Sequence, residues 1–190
     1  MNNKTDRRVE RTKRDIRLAF IELIEKHEAK DITIQEVTDL ANYNRTTFYA
    51  HYSDQKGLIE DIIDDAIQGF IDVIQPSFHN GKVPNSIKFS PSASKMIFRY
   101  IEQNKSMFNL LFNVNKFPSF QEKLCFALKD LLLDDLHFVH HYKNHTDRSL
   151  YCYTQAAALV GRINFWIKEG YTVDADYMAE QMVSYLRLFK

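Results

Sequence analysis

The chain is poor in residues that interrupt or cross-link a fold, with only 5 glycines, 4 prolines and 2 cysteines among 190 residues. So few helix-breaking residues leave room for long uninterrupted helices. Cys125 and Cys152 lie in apolar segments and form no Cys-x-x-Cys pair. We therefore expect two reduced core thiols in a cytoplasmic protein.

The sequence also lacks the segments and motifs of membrane, exported and catalytic proteins. No apolar run approaches the ~20 residues that a membrane span needs. The N-terminal stretch MNNKTDRRVERTKRDIR has no apolar core and does not predict a signal peptide. Gly-x-Ser-x-Gly, His-Glu-x-x-His and P-loop motifs are absent, and neither cysteine is tied by spacing to a histidine. We expect neither an enzyme nor a bound cofactor.

The formal net charge is zero, but the charges are unevenly distributed. Residues 1–17 carry a net charge of +4, and residues 54–75 carry a net charge of −5. A basic end beside an acidic segment is an asymmetry that can reflect a charged partner. The alternative is an ordinary solvated helix face.

Apolar residues recur at helical spacing along most of the chain, and no strand-like alternation persists over six residues. Thr33 and Glu36 form a capping-box pattern, and Asn44 and Asp54 are suitable N-caps for the helices that follow them. Residues 76–91 hold three of the four prolines and predict a loop. The pattern predicts an all-α fold of about nine helices, over residues 8–28, 33–40, 44–51, 54–74, 92–104, 105–113, 118–140, 147–168 and 174–189.

The second and third predicted helices form a candidate helix-turn-helix. Arg45, Thr46, Tyr49 and Ala50 share the outward face of the third helix, whereas Phe48 is placed to anchor it from beneath. Arginine pairs with guanine or phosphate, threonine offers a hydroxyl and a methyl group, and a tyrosine hydroxyl suits a backbone phosphate. The arrangement is typical of a recognition helix in a DNA groove. Spacing alone leaves an ordinary helical hairpin as an alternative.

The segment TIQEVTDLANYNRTTFYAHYSDQKGLI, residues 33–59, resembles the DNA-binding segment of the TetR family of bacterial transcriptional regulators. The string TFYAHY is its most specific part, and the resemblance covers about residues 8–70. A weaker resemblance covers residues 158–183, which are similar to the last two helices of the branch that includes dihydroxyacetone kinase operon regulators. The positions that match the DNA-binding pattern are Thr33, Ala41, Thr47, Phe48, Tyr49, His51, Tyr52 and Leu58.

The sequence departs from the family pattern in three places, at four residues. Asn42-Tyr43 replaces the usual Gly-Val of the turn, and asparagine tolerates the left-handed backbone needed there. Gln55 stands where the family usually has a phosphate-contacting lysine, so Lys56 is expected to take that role. Thr46 adds a polar group where valine or glycine is common.

The resemblance implies a helix-turn-helix DNA-binding domain over 1–53, linked by helix 54–74 to a helical regulatory and dimerisation domain over 54–190. It implies a homodimer that binds a palindromic operator, and a ligand-responsive repressor is the expected form. A small-molecule effector is an expected further partner, and no membrane partner is expected. The expected DNA-binding residues are Thr33, Asn44, Arg45, Thr46, Thr47, Tyr49, His51 and Lys56.

In the regulatory domain, the last two helices of each subunit are expected to form the dimer interface, although core and interface stripes look alike in sequence. The middle helices are expected to form a ligand pocket. The expected interface residues are Ala157, Gly161, Met178, Met182, Tyr185 and Phe189. The expected pocket residues are Phe98, Phe108, Phe112, Phe126 and Trp166.

Two other classes of function remain open from the sequence. The first is a helical ligand-binding or oligomerisation module without specific DNA binding, which the Gln55 departure and the zero net charge motivate. The second is a metal site around His137, His140, His141 and His145, but no third ligand is clearly arranged beside them, so no metal is expected.

Overall fold

A computed structural model describes residues 3–76, 91–134 and 147–188. Within these ranges the chain is helical apart from short connections, which confirms the predicted all-α class. The predicted histidine cluster, most of the predicted loop over 76–91 and the predicted interface residue Phe189 lie outside the described residues. No helix in the described ranges is long and apolar enough to cross a membrane.

Nine α-helices lie in the described ranges, close to the predicted segments. A 3₁₀ turn at Ala29–Asp31, which the sequence pattern does not predict, follows the first of them. The helices are α1 (Asn3–Lys26), α2 (Ile34–Leu40), α3 (Arg45–Tyr49), α4 (Gln55–Ile74), α5 (Pro91–Gln103), α6 (Lys105–Leu111), α7 (Phe120–Asp134), α8 (Arg148–Lys168) and α9 (Ala175–Leu188).

The chain divides into two compact units, and the division falls within α4. The first unit, Met1–Asp65 with Asn115–Phe117, is called here the helix-turn-helix unit. The second unit, Ala66–Val114 with Pro118–Lys190, is called the C-terminal unit. The domain boundary that the sequence predicts, between residues 53 and 54, lies just before α4, whereas the two compact units divide between Asp65 and Ala66.

The helix-turn-helix unit has its core along the apolar stripe of α1. Ile16, Phe20 and Ile24 are fully buried, as are Phe48 of α3 and Leu58 of α4. Burying one large apolar side chain contributes about 1.5–3 kcal/mol. Phe48 therefore anchors the five-residue α3, which is too short to be stable by itself.

A short connection after α6 completes this unit. Phe117 is buried, and the ammonium group of Lys116 donates to the carbonyl oxygens of Ile24 and, at 3.3 Å, of Glu25. These carbonyls belong to the last turn of α1, where helix carbonyl groups lack partners within the helix. Lys116 therefore caps the C-terminal end of α1.

The C-terminal unit is built from two helix pairs, α5 with α9 and α7 with α8. Ile97 and Ile101 of α5 are fully buried, and Ala179 and Met182 of α9 are almost so. Arg99 of α5 forms a two-pronged ion pair with Asp176 of α9, at 3.1 and 3.0 Å. Cys125 and Cys152 are buried and unpaired, and burial raises the pKa of both thiols.

Candidate nucleic-acid interface

The first helix of the helix-turn-helix, α2, begins with the predicted capping box. The Glu36 backbone N–H donates to the Thr33 hydroxyl oxygen (3.2 Å), and the Thr33 N–H and O–H donate to the Glu36 carboxylate at 2.7 and 2.8 Å. The bonds from Thr33 lower the pKa of Glu36 because they stabilise its charged form. The side chain of Thr33 is thus fully used in fixing the start of α2.

The turn between α2 and α3 depends on Asn42. Asn42 has φ +60°, a left-handed conformation that few residues with a side chain adopt. The next residue, Tyr43, donates its backbone N–H to the Thr38 carbonyl oxygen at 2.9 Å and closes the turn. Asn42 therefore supplies the left-handed backbone that this turn needs, as expected from the sequence.

α3 is started by Asn44, the predicted N-cap. Its Oδ1 accepts from the backbone N–H of Thr47 at 2.8 Å and from the Thr47 hydroxyl at 2.9 Å. An N-cap of this kind contributes about 1 kcal/mol. Asn44 and Thr47 are therefore occupied with each other, which holds the backbone at the start of α3 in place.

The outward face of α3 carries the polar side chains that the sequence singles out. Arg45 and Thr46 are exposed, and Tyr49 is 55% exposed. The Tyr49 ring rests edge-on against buried Phe48, with ring centroids 5.6 Å apart. Phe48 thus holds the helix from below while the other three side chains face solvent.

The C-terminal end of the TFYAHY string serves a different purpose. Tyr52 is buried, and its hydroxyl donates to Asp61 of α4 at 2.8 Å. Burial raises the pKa of Tyr52 well above its usual value, and the bond to Asp61 adds to this effect. His51 is half-buried beside it, with the two ring centroids 6.4 Å apart. Tyr52 therefore joins the end of the helix-turn-helix to α4.

Asp61 is the centre of a polar cluster that sequence reasoning missed. Lys13 and Arg17 of α1 donate to its two carboxylate oxygens at 2.6 and 2.9 Å, and Arg17 also pairs with Asp65 at 3.0 Å. Partial burial opposes the charged form of Asp61, but the bonds from Lys13, Arg17 and Tyr52 outweigh it and lower its pKa. We call Lys13, Arg17, Tyr52, Asp61 and Asp65 the Asp61 cluster.

The departure at Gln55 has a structural explanation. The Gln55 side-chain amide donates to the carbonyl oxygens of Ala29 (2.7 Å) and Ile32 (3.3 Å), so it holds the connection between α1 and α2. Lys56, the next residue, is exposed in the first turn of α4. Asp54 accepts from the Gly57 N–H at 2.8 Å and caps this turn, as predicted. The charged end of Lys56 is therefore free to face solvent at the start of α4.

The expected pocket residues occupy different places in the C-terminal unit. Phe98 and Trp166 are buried and meet edge to face at 5.6 Å. Phe108 and Phe112 are buried and lie 6.3 Å apart, within a run of aromatic contacts. Phe126 is 44% exposed and contacts Tyr153 on the surface, so the structure does not bring it together with the other four.

The expected interface residues also divide into two groups. Met178 and Met182 are buried within the C-terminal unit on α9, the helix that packs against α5. Ala157, Gly161 and Tyr185 are exposed. Among the described residues, no atom beyond the chain neighbours of Gly161 and the backbone of its own helix lies within 4 Å of the position that a β carbon would take there. Sequence periodicity marks both groups as helical stripes and does not show which stripe faces the chain's own core.

The order of the helices and the exposed, capped α3 together define a fold of the helix-turn-helix class. A family model described as a transcriptional regulator C-terminal region of the TetR type matches residues 91–188, just over half of the chain. The chain belongs to the TetR family of transcriptional regulators, which confirms the resemblance seen in the sequence.

Individual proteins agree with this assignment. An uncharacterized HTH-type transcriptional regulator from Bacillus subtilis, YxbF, is 24% identical over 97% of this chain. The chain spans about half the length of that relative, 47%.

Solved structures show the same fold. A TetR-family regulator from Syntrophomonas wolfei gives a TM-score of 0.71 at 12% identity and 95% coverage of both chains. The dihydroxyacetone kinase operon activator DhaS gives a TM-score of 0.64 at 18% identity, over 93% of this chain and 94% of its own.

Proposed function

We propose that this protein is a homodimeric, ligand-responsive repressor that binds a palindromic operator through α3. The observation that carries the proposal is the exposed face of Arg45, Thr46 and Tyr49 on a helix fixed by Asn44 and Phe48. A recognition helix must present polar groups on a rigid backbone, because a mobile helix would lose entropy on binding. α3 meets both requirements.

Each exposed side chain of the interface has a distinct proposed role. Arg45 reads guanine through two parallel hydrogen bonds, and Thr46 contacts a neighbouring base edge with its hydroxyl or methyl group. The hydroxyl of Tyr49 and the ammonium group of Lys56 bind backbone phosphates, with His51 close by. Thr33, Asn44 and Thr47, which are engaged in helix caps, support the interface by fixing its backbone.

The proposed dimer interface is an exposed, largely apolar stripe on α8 and α9. Ala157 and Gly161 are small enough for close approach of a second helix, and Phe165 is 63% exposed on the same face of α8. Tyr185 of α9 is 48% exposed and receives Arg162 over its ring at 5.6 Å. Exposed apolar patches of this kind commonly mark protein interfaces. Met178 and Met182 would then support the interface from behind.

The proposed response to a ligand acts through α4, whose residues belong to both units. In a dimer on a palindrome, the two recognition helices must lie about 34–36 Å apart, one turn of DNA. A ligand that binds in the aromatic interior of the C-terminal unit and tilts α4 would change this spacing and release the operator. Phe98, Phe108, Phe112 and Trp166 are the proposed ligand-facing residues.

To test the proposal, the wild-type chain first selects a duplex from a random-sequence pool. The affinity of the wild type and of each variant for that duplex is then measured. Arg45→Ala and Tyr49→Ala should each weaken binding by about 10-fold or more, because each removes a base or phosphate contact. Lys26→Ala, which removes an exposed cation at the far end of α1, is the matched control and should bind like the wild type. Unchanged binding by both α3 variants would contradict the proposal.

A second experiment distinguishes repression from activation. It measures expression of a reporter from a promoter fused to the recovered site, which should fall when the protein is present.

A further inference from the structure

Three arginines of α1, namely Arg7, Arg11 and Arg14, lie outside the proposed DNA-binding face of α3. Arg7, Arg11 and Arg14 line an open cleft of about 380 Å³, together with Glu10 and Arg17. Their spacing of four and three residues places them on one face of the helix. Arg7 and Arg14 lie about 10 Å apart along the helix axis, since each residue advances the helix by about 1.5 Å.

The ion pairs distinguish Arg11 and Arg14 from Arg17, a cation of the same helix that has a structural role. Arg17 is directed to Asp61 and Asp65, and only 11% of its side chain is exposed. The Arg11 and Arg14 side chains are 76% and 63% exposed. Both approach Asp15, at 3.8 Å for Arg11 and 3.5 Å for Arg14. Their guanidinium groups therefore remain largely open to a ligand.

Asp15 also shows where this basic face lies within the unit. The hydroxyl of Tyr43 donates to the Asp15 carboxylate at 3.2 Å. Tyr43 directly precedes Asn44, the N-cap of α3. Asp15 thus contacts both arginines and also the turn that leads into the recognition helix.

The chemistry of the cleft favours phosphate. Arginine presents a planar fork of N–H donors that matches phosphate oxygens, and it stays charged at any physiological pH. Glu10 and Asp15 lower the local positive charge but leave the three arginines in excess. A row of several separated guanidinium groups suits a row of phosphates better than one compact anion.

We propose that Arg7, Arg11 and Arg14 form a second DNA contact, which grips backbone phosphates beside the base pairs read by α3. This proposal rests on the proposed function, because it assigns a further part of the same duplex to α1. The contact adds affinity and salt dependence without adding base preference, since phosphates carry no direct sequence information.

The test measures how the binding constant of the full chain changes with salt, using the duplex recovered by the wild-type protein. Replacing both Arg11→Ala and Arg14→Ala should reduce the slope of log K against log salt by about 2, at about 0.9 per phosphate contact. Affinity at 0.1 M salt should fall roughly 10- to 100-fold by the same relation. The base sequence that the double variant selects should remain that of the wild type.

The control double variant, Lys26→Ala with Lys168→Ala, also removes two positive charges, one from the end of α1 and one from α8. It should keep the wild-type slope. Arg11→Lys with Arg14→Lys should restore most of the slope, because lysine also binds phosphate as a point charge. Circular dichroism and thermal melting verify that each variant is folded. A wild-type slope in the folded alanine variant overturns the assignment of α1, whereas failure of the wild type to select any duplex overturns the proposed function.

A free anion is the other possible source of phosphate in this cleft. Pyrophosphate titrated into the wild-type chain should bind only weakly, with a dissociation constant no tighter than about 1 mM, because the cleft is open and its arginines are spread out. Submillimolar binding that disappears in the alanine double variant would assign the cleft to a small phosphorylated ligand and overturn the proposal.

Discussion

At the scale of single residues, the Asp61 cluster joins α1 and the end of the helix-turn-helix to α4. Asp61 receives hydrogen bonds from Lys13, Arg17 and Tyr52, three side chains on two different segments of the chain. Ion pairs of this kind are worth little when fully exposed, but the Asp61 side chain is only 23% exposed. We infer that the cluster fixes the angle at which α1 and the end of the helix-turn-helix meet α4.

Replacement of Asp61 by asparagine tests this inference. Asp61→Asn should lower the free energy of unfolding by roughly 2 kcal/mol, because it leaves the poorly exposed Arg17 with only Asp65 as a carboxylate partner. Urea denaturation gives the value. The matched control is Asp72→Asn, an aspartate later in the same helix, which should change stability far less. Equal losses in the two variants would show that Asp61 has no special role.

The pH dependence of this effect has a definite sign. The pKa of Asp61 lies below its ordinary value of 3.8 in the folded chain, so folding favours the carboxylate. The stabilisation is complete above the unfolded pKa and is lost as pH falls through the folded pKa. The stability difference between wild type and Asp61→Asn should therefore be constant from pH 7 to about 5 and shrink below about 4. A difference that grows on acidification would contradict the assignment.

The residue-scale features that were predicted from the sequence are local ones. The caps at Thr33 and Asn44 depend on partners three residues away, and Asn42 is recognisable because few other residues adopt a left-handed backbone. The Asp61 cluster joins residues up to 48 positions apart, so no local pattern reveals it. The structural role of Gln55 could not be predicted for the same reason, because the carbonyl groups that it binds lie in the distant connection between α1 and α2.

At the scale of helices, the end of α1 depends on a segment from much later in the chain. Lys116 reaches the carbonyl groups of Ile24 and Glu25, and its positive charge also suits the negative end of the helix dipole. Phe117 beside it is buried in the same unit. The connection after α6 therefore stabilises the helix-turn-helix unit directly.

A substitution at Lys116 tests this contact. Lys116→Met keeps the apolar stem but removes the ammonium group, and should lower the free energy of unfolding by about 1 kcal/mol. Hydrogen exchange should show faster opening of the last turn of α1. Lys129→Met, which removes a cation from α7, is the control. Protection of the α1 end equal to wild type would contradict a capping role for Lys116.

The positions of the helices were easier to predict than which of their apolar side chains are buried. The apolar stripes of α1, α4 and α7 locate the helices because one face of each is buried. Phe126 shows the limit of this reasoning, since its aromatic character predicted a pocket position while its phase on α7 places it on the surface. Composition shows which side chains are apolar, and helical phase decides which of them are buried.

At the scale of the whole molecule, the proposed function requires two copies of the chain. A single five-residue recognition helix covers few base pairs, and a palindromic operator needs two of them held at a fixed distance. The exposed stripe on α8 and α9 is the proposed junction between copies. Its small residues and exposed aromatic side chains suit close packing against an identical surface.

Gly161 allows this junction to be tested without disturbing the chain itself. Gly161→Leu should be tolerated or stabilising in the single chain, because a side chain there meets open space and leucine favours a helix more than glycine does. In the dimer it should keep the two helices apart, giving a monomer in analytical ultracentrifugation and operator binding weakened at least tenfold. Gly57→Ala, at the start of α4, is the control for a glycine outside the stripe. A stable dimer of Gly161→Leu would place the junction elsewhere.

The most direct test of the whole account is the base sequence that the protein selects from a random duplex pool. The wild-type chain should enrich a two-fold symmetric site whose half-sites are centred about 10 base pairs, or one helical turn, apart. Arg45→Ala should relax one symmetric pair of positions and leave the rest of the site unchanged. Enrichment of no sequence by the folded wild-type protein, or of an identical site by Arg45→Ala, would contradict the claim that α3 reads DNA.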